Sequence, residues 1–178
     1  MLIGNLCSRQ SPEERILIKT FFDSYLLKMS EIFASDIDFG GYGSQGKIWF
    51  RVYGSKKPDP DLPTFNFDEC NVLIQSILME RQRQFLYENR NLDFSYTIMQ
   101  GETMLRFRAD CYFDLDQIAL NMRAINQTIR PYSGFGFHPG VTRVVSLQHT
   151  KEGLILVTGI TGSGKSTTLD AIIDANNH

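Results

Sequence analysis

Two stretches of the chain carry apolar residues at helical spacing. The first begins at Ser11-Pro12-Glu13-Glu14, where a capping residue is followed by a proline and by a glutamate three residues after the cap. The apolar positions that follow predict an amphipathic helix over about 12–33. The second stretch begins at Asn66, has Glu69 three residues on, and carries an apolar face as far as Phe85. Its charged residues are expected to face solvent: Glu80, Arg81, Arg83 and Glu88.

Five shorter stretches have the composition or alternation of strands. They lie at about 36–42, 47–53, 92–99, 104–113 and 117–125. Gly43-Ser44-Gln45-Gly46 is predicted to join the first two as a hairpin loop. The run from Gly54 to Pro63 is predicted to be a solvated loop, with its lysines and aspartates at the surface. These elements predict helices packed on an antiparallel sheet.

The alternation of the last two strands also predicts their register. Their apolar faces meet only if facing residue numbers have an odd sum, for example 113 with 118 and 111 with 120. This register places Arg108 opposite Arg123. Like charges that face each other across a ladder are unfavourable unless an anion lies between them. Asp110 could supply that anion, and so could a nucleotide phosphate.

Composition and charge narrow the possible functions. The 178 residues carry 18 Lys and Arg against 20 Asp and Glu, a net charge of −2, which argues against binding to nucleic acid. The three cysteines (Cys7, Cys70 and Cys111) are far apart, as expected of buried thiols in a reducing compartment. No apolar stretch approaches the ~18 residues of a membrane span. We therefore expect a cytoplasmic protein without a membrane span.

A phosphate-binding motif stands near the end of the chain. The run Gly159-Ile160-Thr161-Gly162-Ser163-Gly164-Lys165-Ser166 matches G-x-x-x-x-G-K-[ST]. It follows the apolar run 154–157, predicted to be a strand, and precedes a predicted helix. In such loops backbone N–H groups surround a polyphosphate, the lysine reaches the outer phosphates and the hydroxyl binds Mg²⁺. The nucleotide-binding prediction comprises Gly159, Thr161, Gly162, Ser163, Gly164, Lys165, Ser166 and Thr167, with Ser166 as the Mg²⁺ ligand. ATP and Mg²⁺ are the expected cofactors.

Arginine is the only basic residue besides histidine between Pro58 and Thr150, where it occurs eight times without one lysine. Its planar guanidinium suits oxyanions, so phosphate recognition is one interpretation. Ordinary pairing with the neighbouring aspartates is the other.

Several segments together resemble the secretion and pilus motor ATPases. They are 34–38, 92–95, Arg106-Phe107-Arg108, 122–125 and, most specifically, 153–169, and the similarity runs from about Ala34 to His178. The superfamily includes the type IV pilus retraction and assembly motors and the type II and type IV secretion ATPases. Two positions depart from the common family pattern, with Ile160 in place of proline and Asp38 in place of histidine.

The resemblance implies an α+β protein in four parts. These are an N-terminal amphipathic helix (1–33), a PAS-like domain with an antiparallel sheet flanked by helices (34–125), a linker (126–152), and the first strand, phosphate-binding loop and helix of an incomplete RecA-like domain (153–178). It also implies a homo-hexamer that binds ATP and ADP and docks at the cytoplasmic side of the inner membrane on platform proteins of a pilus or secretion system. Lys165 at the loop and Arg108 and Arg123, with Arg106 as a further candidate, match the phosphate-contacting positions.

Two functions remain open. In one, the chain is the N-terminal part of an ATP-driven motor, and its second magnesium-binding acid and water-activating glutamate lie beyond residue 178, so that the piece itself hydrolyses little. In the other, the chain is a non-hydrolysing nucleotide-sensing or docking module that binds a full motor. A small kinase is disfavoured because such enzymes carry the loop near their N-terminus.

Overall fold

The computed structural model describes residues 11–125, 128–160 and 163–177. They divide into two compact units, one ending at Ile125 and the other beginning after it. Each unit is described separately below. Among the described residues, no helix is both long and apolar enough to cross a membrane.

The described residues of the first unit form three helices and six strands. The helices are α1 (Pro12–Glu31), α2 (Phe67–Ser76) and α3 (Glu80–Asn89). The strands are β1 (Ala34–Gly40), β2 (Trp49–Val52), β3 (Ser55–Pro58), β4 (Asn91–Gln100), β5 (Thr103–Asp114) and β6 (Gln117–Ile125). All neighbouring strands are antiparallel, in the order β3-β2-β1-β6-β5-β4. The predicted combination of helices and an antiparallel sheet is confirmed.

The helices begin where the sequence predicts. Ser11 and Glu14 form a reciprocal capping box at α1, and Asn66 and Glu69 form another at α2. Each box satisfies N–H groups that the first helical turn leaves without partners. The prediction of one continuous second helix was wrong, because the helix is interrupted between Ser76 and Glu80.

This interruption changes which residues of α3 face the core, so two predictions about buried and exposed side chains are reversed. Phe85, predicted on the apolar face, is half exposed, and Arg83, predicted in solvent, is buried. The Arg83 guanidinium donates to the Gln75 carbonyl and pairs with Glu80. The residue spacing of one unbroken helix does not predict which side chains are buried after the helix is interrupted.

The core lies between the helices and one face of the sheet. It includes fully buried residues of α1 and α2 and the alternate residues of the strands: Phe22, Leu26, Met29, Ile74, Ile37, Phe39, Phe107, Ile118 and Met122. The predicted burial of two cysteines is confirmed for Cys70 and Cys111, and burial raises the pKa of each thiol to about 12. Cys7 lies outside the described residues.

The loop prediction for residues 54–63 was wrong in part. Residues 55–58 form edge strand β3, paired with β2. Lys56 binds Asp38 at 3.0 Å, and Asp59, with a largely buried side chain, binds Lys28 of α1 at 2.7 Å. Local composition indicates a loop here, but long-range ion pairs hold the segment against the sheet.

The second unit contains a short 3₁₀ helix (Tyr132–Phe135) and helices α4 (Pro139–Val145) and α5 (Lys165–Asn177). Asn176 of α5 accepts from the Leu147 N–H at 2.8 Å and donates to the Val145 carbonyl at 3.0 Å. These bonds join α5 to the segment after α4.

Gly46 has a conformation and a neighbour that exclude a side chain. Its φ is +71°, and a Cβ atom would lie 1.9 Å from the Phe65 carbonyl oxygen. We expect Gly46→Ala to lower the free energy of unfolding by about 2 kcal/mol or more in a denaturant titration. Gly43→Ala in the same loop is the matched control, because nothing lies within 4 Å of its added Cβ. Equal stability of the two variants would contradict this account of the loop.

Gln75 is fully buried, and neither atom of its amide has a hydrogen-bond partner among the described residues. An unpaired buried amide destabilises the folded state, so Gln75→Leu should raise the free energy of unfolding by about 1 kcal/mol. The control is Gln84→Leu, which alters an exposed amide bound to Glu88. A large loss of stability in Gln75→Leu would show instead that the amide is satisfied by an ordered water molecule.

Candidate functional site

The loop before α5 is shaped by two glycines. A Cβ atom at Gly159 would lie 2.7 Å from the Ser163 hydroxyl, and Gly164 has φ +86°. The Ser163 N–H donates to the Ile160 carbonyl at 3.2 Å, which turns the chain toward the helix. Thr161 and Gly162, both predicted to bind nucleotide, lie outside the described residues.

The groups predicted to meet phosphate cluster around the first turn of α5. The Lys165 ammonium donates to the Ile160 carbonyl at 2.7 Å, so it lies back over the loop. Ser166 and Thr167 are exposed in the first helical turn. A helix N-terminus, an ammonium group and a glycine-formed turn are the components that bind a polyphosphate. The described residues therefore fit this ligand.

Magnesium would be held here by few protein groups. The Ser166 hydroxyl is the candidate ligand, and phosphate oxygens and water commonly complete the shell of this ion. Over the described ranges, no group of three or more His, Cys, Asp or Glu side chains is placed to hold a metal ion by itself. A magnesium site at Ser166 would thus depend on a bound polyphosphate.

The predicted strand at 154–157 is not formed. These residues have no regular secondary structure, and Leu154 and Leu156 are 82% and 74% exposed. A strand exists only when a neighbour pairs with its backbone, and the described part of the second unit contains no other strand. The apolar run therefore lies exposed ahead of the loop.

The predicted pairing of the two arginines is confirmed in the first unit. Arg108 of β5 stands opposite Arg123 of β6, and Phe113 and Cys111 stand opposite Ile118 and Leu120. The arginines lie on the sheet face opposite the core, because alternate residues of each strand point to opposite faces. Their side chains are 73% and 69% exposed.

Carboxylates near the arginines come from other strands than predicted. Arg123 Nε donates to Asp36 Oδ1 of β1 at 2.8 Å, and Arg108 pairs with Asp93 of β4 at 3.3 Å. Asp110, one of the two candidates for the anion between them, instead accepts from Asn91. In the ladder Asp36 faces Arg123 directly, whereas Asp110 faces Asn121. Both interpretations of the arginines thus retain support, because the side chains are paired yet remain accessible.

One further residue on this face, Arg51, was not predicted to matter. Arg51 of β2 lies with its Nε 3.4 Å from Asp36 Oδ2, so one carboxylate faces two arginines. Arg106, the further candidate from the sequence, lies two residues from Arg108 on β5. Strand alternation puts Arg106 on the same face, and pairing of β1 with β2 brings Arg51 beside Asp36. The position of Arg51 beside Asp36 could be predicted only from the strand pairing, which composition does not reveal.

A cavity of about 130 Å³ opens on the same face near the β1–β2 loop. Asp38, Trp49, Lys56, Tyr112 and Asp114 are among its lining residues. The pKa of Tyr112 is raised by burial and by the neighbouring carboxylates, of which Asp38 acts most strongly. Asp38 is held by Lys56 and by the Asn121 amide, each at 3.0 Å.

Known proteins resemble the chain in both sequence and fold. The type IV pilus retraction ATPase PilT of Pseudomonas aeruginosa is 31% identical over 118 residues, which are 66% of this chain and 33% of the relative. The crystal structure of the pilus retraction motor PilT with bound ADP matches with a TM-score of 0.66 and 32% identity, covering 86% of this chain and 42% of that one. The ATPase DotB of Legionella pneumophila matches with a TM-score of 0.74 and 25% identity, covering 88% and 42%.

The chain spans 31–35% of the length of the curated relatives it matches. The family model described as type II/IV secretion system protein matches residues 11–178. That range includes both the arginine-bearing sheet and the loop at Gly159. The chain therefore belongs to the type II/IV secretion system protein family, the superfamily of secretion and pilus motor ATPases.

Proposed function

We propose that this chain is the N-terminal part of a P-loop ATPase motor that powers type IV pilus retraction or assembly, or protein secretion. The observation that carries the proposal is the family match over residues 11–178, which spans both candidate phosphate-contacting regions. The motor works as a homo-hexamer at the cytoplasmic side of the inner membrane, bound to platform proteins of the pilus or secretion system. The PAS-like designation of 34–125, the linker at 126–152 and the RecA-like start at 153–178 belong to the same proposal.

Nucleotide binds at the loop before α5. The backbone N–H groups from Gly159 to Thr167 surround the β- and γ-phosphates of ATP, and Lys165 leaves the Ile160 carbonyl to contact them. Ser166 places its hydroxyl on Mg²⁺. The exposed first turn of α5 and the position of the Lys165 ammonium over the loop support this assignment.

Arg108 and Arg123 act on the phosphates from the sheet. In phosphoryl transfer, negative charge spreads over the equatorial oxygens of the transferred group, and a guanidinium placed against them lowers the barrier. The exposure of both side chains, on a face that carries no helix of the described first unit, supports this role. Their register places the two residues opposite each other on neighbouring strands, and each guanidinium pairs with a carboxylate on its outer side, Arg123 with Asp36 and Arg108 with Asp93.

The isolated chain is expected to bind nucleotide weakly and to hydrolyse it negligibly. Phosphoryl transfer to water needs a positioned water molecule as well as a phosphate cradle, and the described residues around Lys165 supply only the cradle. Phosphate release by the purified chain should equal that of its Lys165→Ala variant. Turnover above that of the variant would contradict the assignment of the chain as an inactive part.

The mass of the native polypeptide separates the motor from the alternative. An antibody raised against residues 34–125 should detect, in the cells of origin, a species about twice the length of this chain or more, given the share of its relatives that it covers. A species of this length would overturn the motor proposal. It would favour a non-hydrolysing sensing or docking module.

In the native-length polypeptide, Arg123→Gln and Arg108→Gln should each lower kcat for ATP hydrolysis by about 10³-fold and change KM little, because their contacts form with transition-state charge. Arg81→Gln is the matched control, since it removes one exposed arginine outside this face. Equal kcat values in all three variants would remove the arginine pair from the mechanism.

A further inference from the structure

Asp36 is a buried carboxylate with two arginine counter-ions. It is 3% exposed, and each of its oxygens faces a different strand. Oδ1 accepts from Arg123 Nε of β6 at 2.8 Å, whereas Oδ2 lies 3.4 Å from Arg51 Nε of β2 and accepts from the Ser35 hydroxyl at 2.7 Å. A buried charge left without a partner strongly destabilises a fold. One arginine would suffice to neutralise it.

The two arginines are held differently. Arg51 is 40% exposed, and its Nη1 also donates to the Gly54 carbonyl at 3.2 Å in the β2–β3 turn. Arg123 is 69% exposed. The only hydrogen bond or ion pair that its side chain makes with a described residue is the one to Asp36. Arg51 is therefore held beside the carboxylate by a second acceptor, whereas among the described residues the Arg123 side chain is held through Asp36 alone.

The two nitrogen–oxygen distances show which arginine could still move closer to Asp36. The Arg123 bond has the length of a strong charge-assisted hydrogen bond, but the Arg51 contact is about half an ångström longer. Arg51 can thus approach Asp36 further if Arg123 leaves. The strand pairing of Asp36 with Arg51 on one side and Arg123 on the other keeps both within reach.

We infer that Arg51 is a reserve counter-ion and positioning residue: it neutralises Asp36 when Arg123 moves to a phosphate, so that the arginine can be exchanged between the two anions. This inference rests on the proposed phosphate contact of Arg123. Without Arg51, departure of Arg123 would leave Asp36 buried and unpaired. Phosphate would then have to overcome that cost, and its apparent affinity would fall.

A mutant cycle in the 178-residue chain tests the counter-ion part without any ligand. Arg51→Gln and Arg123→Gln should each lower Tm by only a few degrees, because the remaining arginine still pairs with Asp36. The double variant should lose roughly 6 °C or more beyond the sum of the single losses. Adding Asp36→Asn to the double variant should recover most of that excess, since the stranded charge is gone. Additive losses, or no recovery with Asp36→Asn, would overturn the inference.

A titration with inorganic tripolyphosphate tests the exchange. The NMR signal of the Arg123 Nε–H reports its bond to Asp36, and it should shift as tripolyphosphate is added to the chain. Arg51→Gln should raise the concentration needed at least threefold, and Arg51→Lys should largely restore it. Arg81→Gln removes the same charge from α3 and serves as the control for general electrostatics. An equal rise in Arg51→Gln and Arg81→Gln would overturn the inference.

The two experiments separate this inference from the proposed function. If tripolyphosphate shifts Arg123 but the mutant cycle is additive, the phosphate contact stands and the reserve role of Arg51 is wrong. If the cycle is strongly non-additive but tripolyphosphate leaves Arg123 unmoved, Arg51 and Arg123 do share Asp36, and both the phosphate contact and the exchange built on it are wrong.

Discussion

A six-stranded sheet presents two faces, and the helices of the first unit cover one of them. β1 shows the consequence within a few residues, because Ile37 and Phe39 enter the core while Asp36 and Asp38 lie on the other face. Strand alternation makes this division unavoidable. Charged residues of all six strands therefore share one surface, where they must neutralise one another or a ligand. The arginine pair, the two-sided pairing of Asp36 and the cavity near Asp38 all lie on this face.

The register of this surface could be predicted from the sequence, but its ion pairs could not. Arg108 and Arg123 belong to neighbouring strands joined by a short turn, so alternation and hydrophobic matching were enough to place them together. Asp36 lies 87 residues before Arg123 and reaches it through the pairing of β1 with β6. No local sequence pattern predicts the pairing of β1 with β6. The candidate carboxylate, Asp110, is near in sequence but lies opposite Asn121 in the sheet.

Element prediction succeeded where local signals are complete and failed where tertiary contacts decide. Both capping boxes were visible in the sequence because cap and partner are three residues apart. β3 resembled a loop because lysine and proline are poor strand formers, yet an edge strand tolerates both. The run 154–157 has the composition of a strand, but no strand of the described residues pairs with it. The motif at Gly159 predicted the start of α5 correctly, and the family match then identified the superfamily that the motif alone leaves open.

The exposed run 154–157 has a consequence for how this chain behaves in concentrated solution. Its leucines are open to solvent, and its backbone donors and acceptors have no strand partner in the part of the chain that the structure describes. This is the condition under which segments of different molecules stack into intermolecular sheets. The preceding Lys151 and Glu152 supply only two charges, of opposite sign, before it. Aggregation of the chain should therefore start in this segment, and a soluble preparation depends on keeping it covered or interrupted by charge.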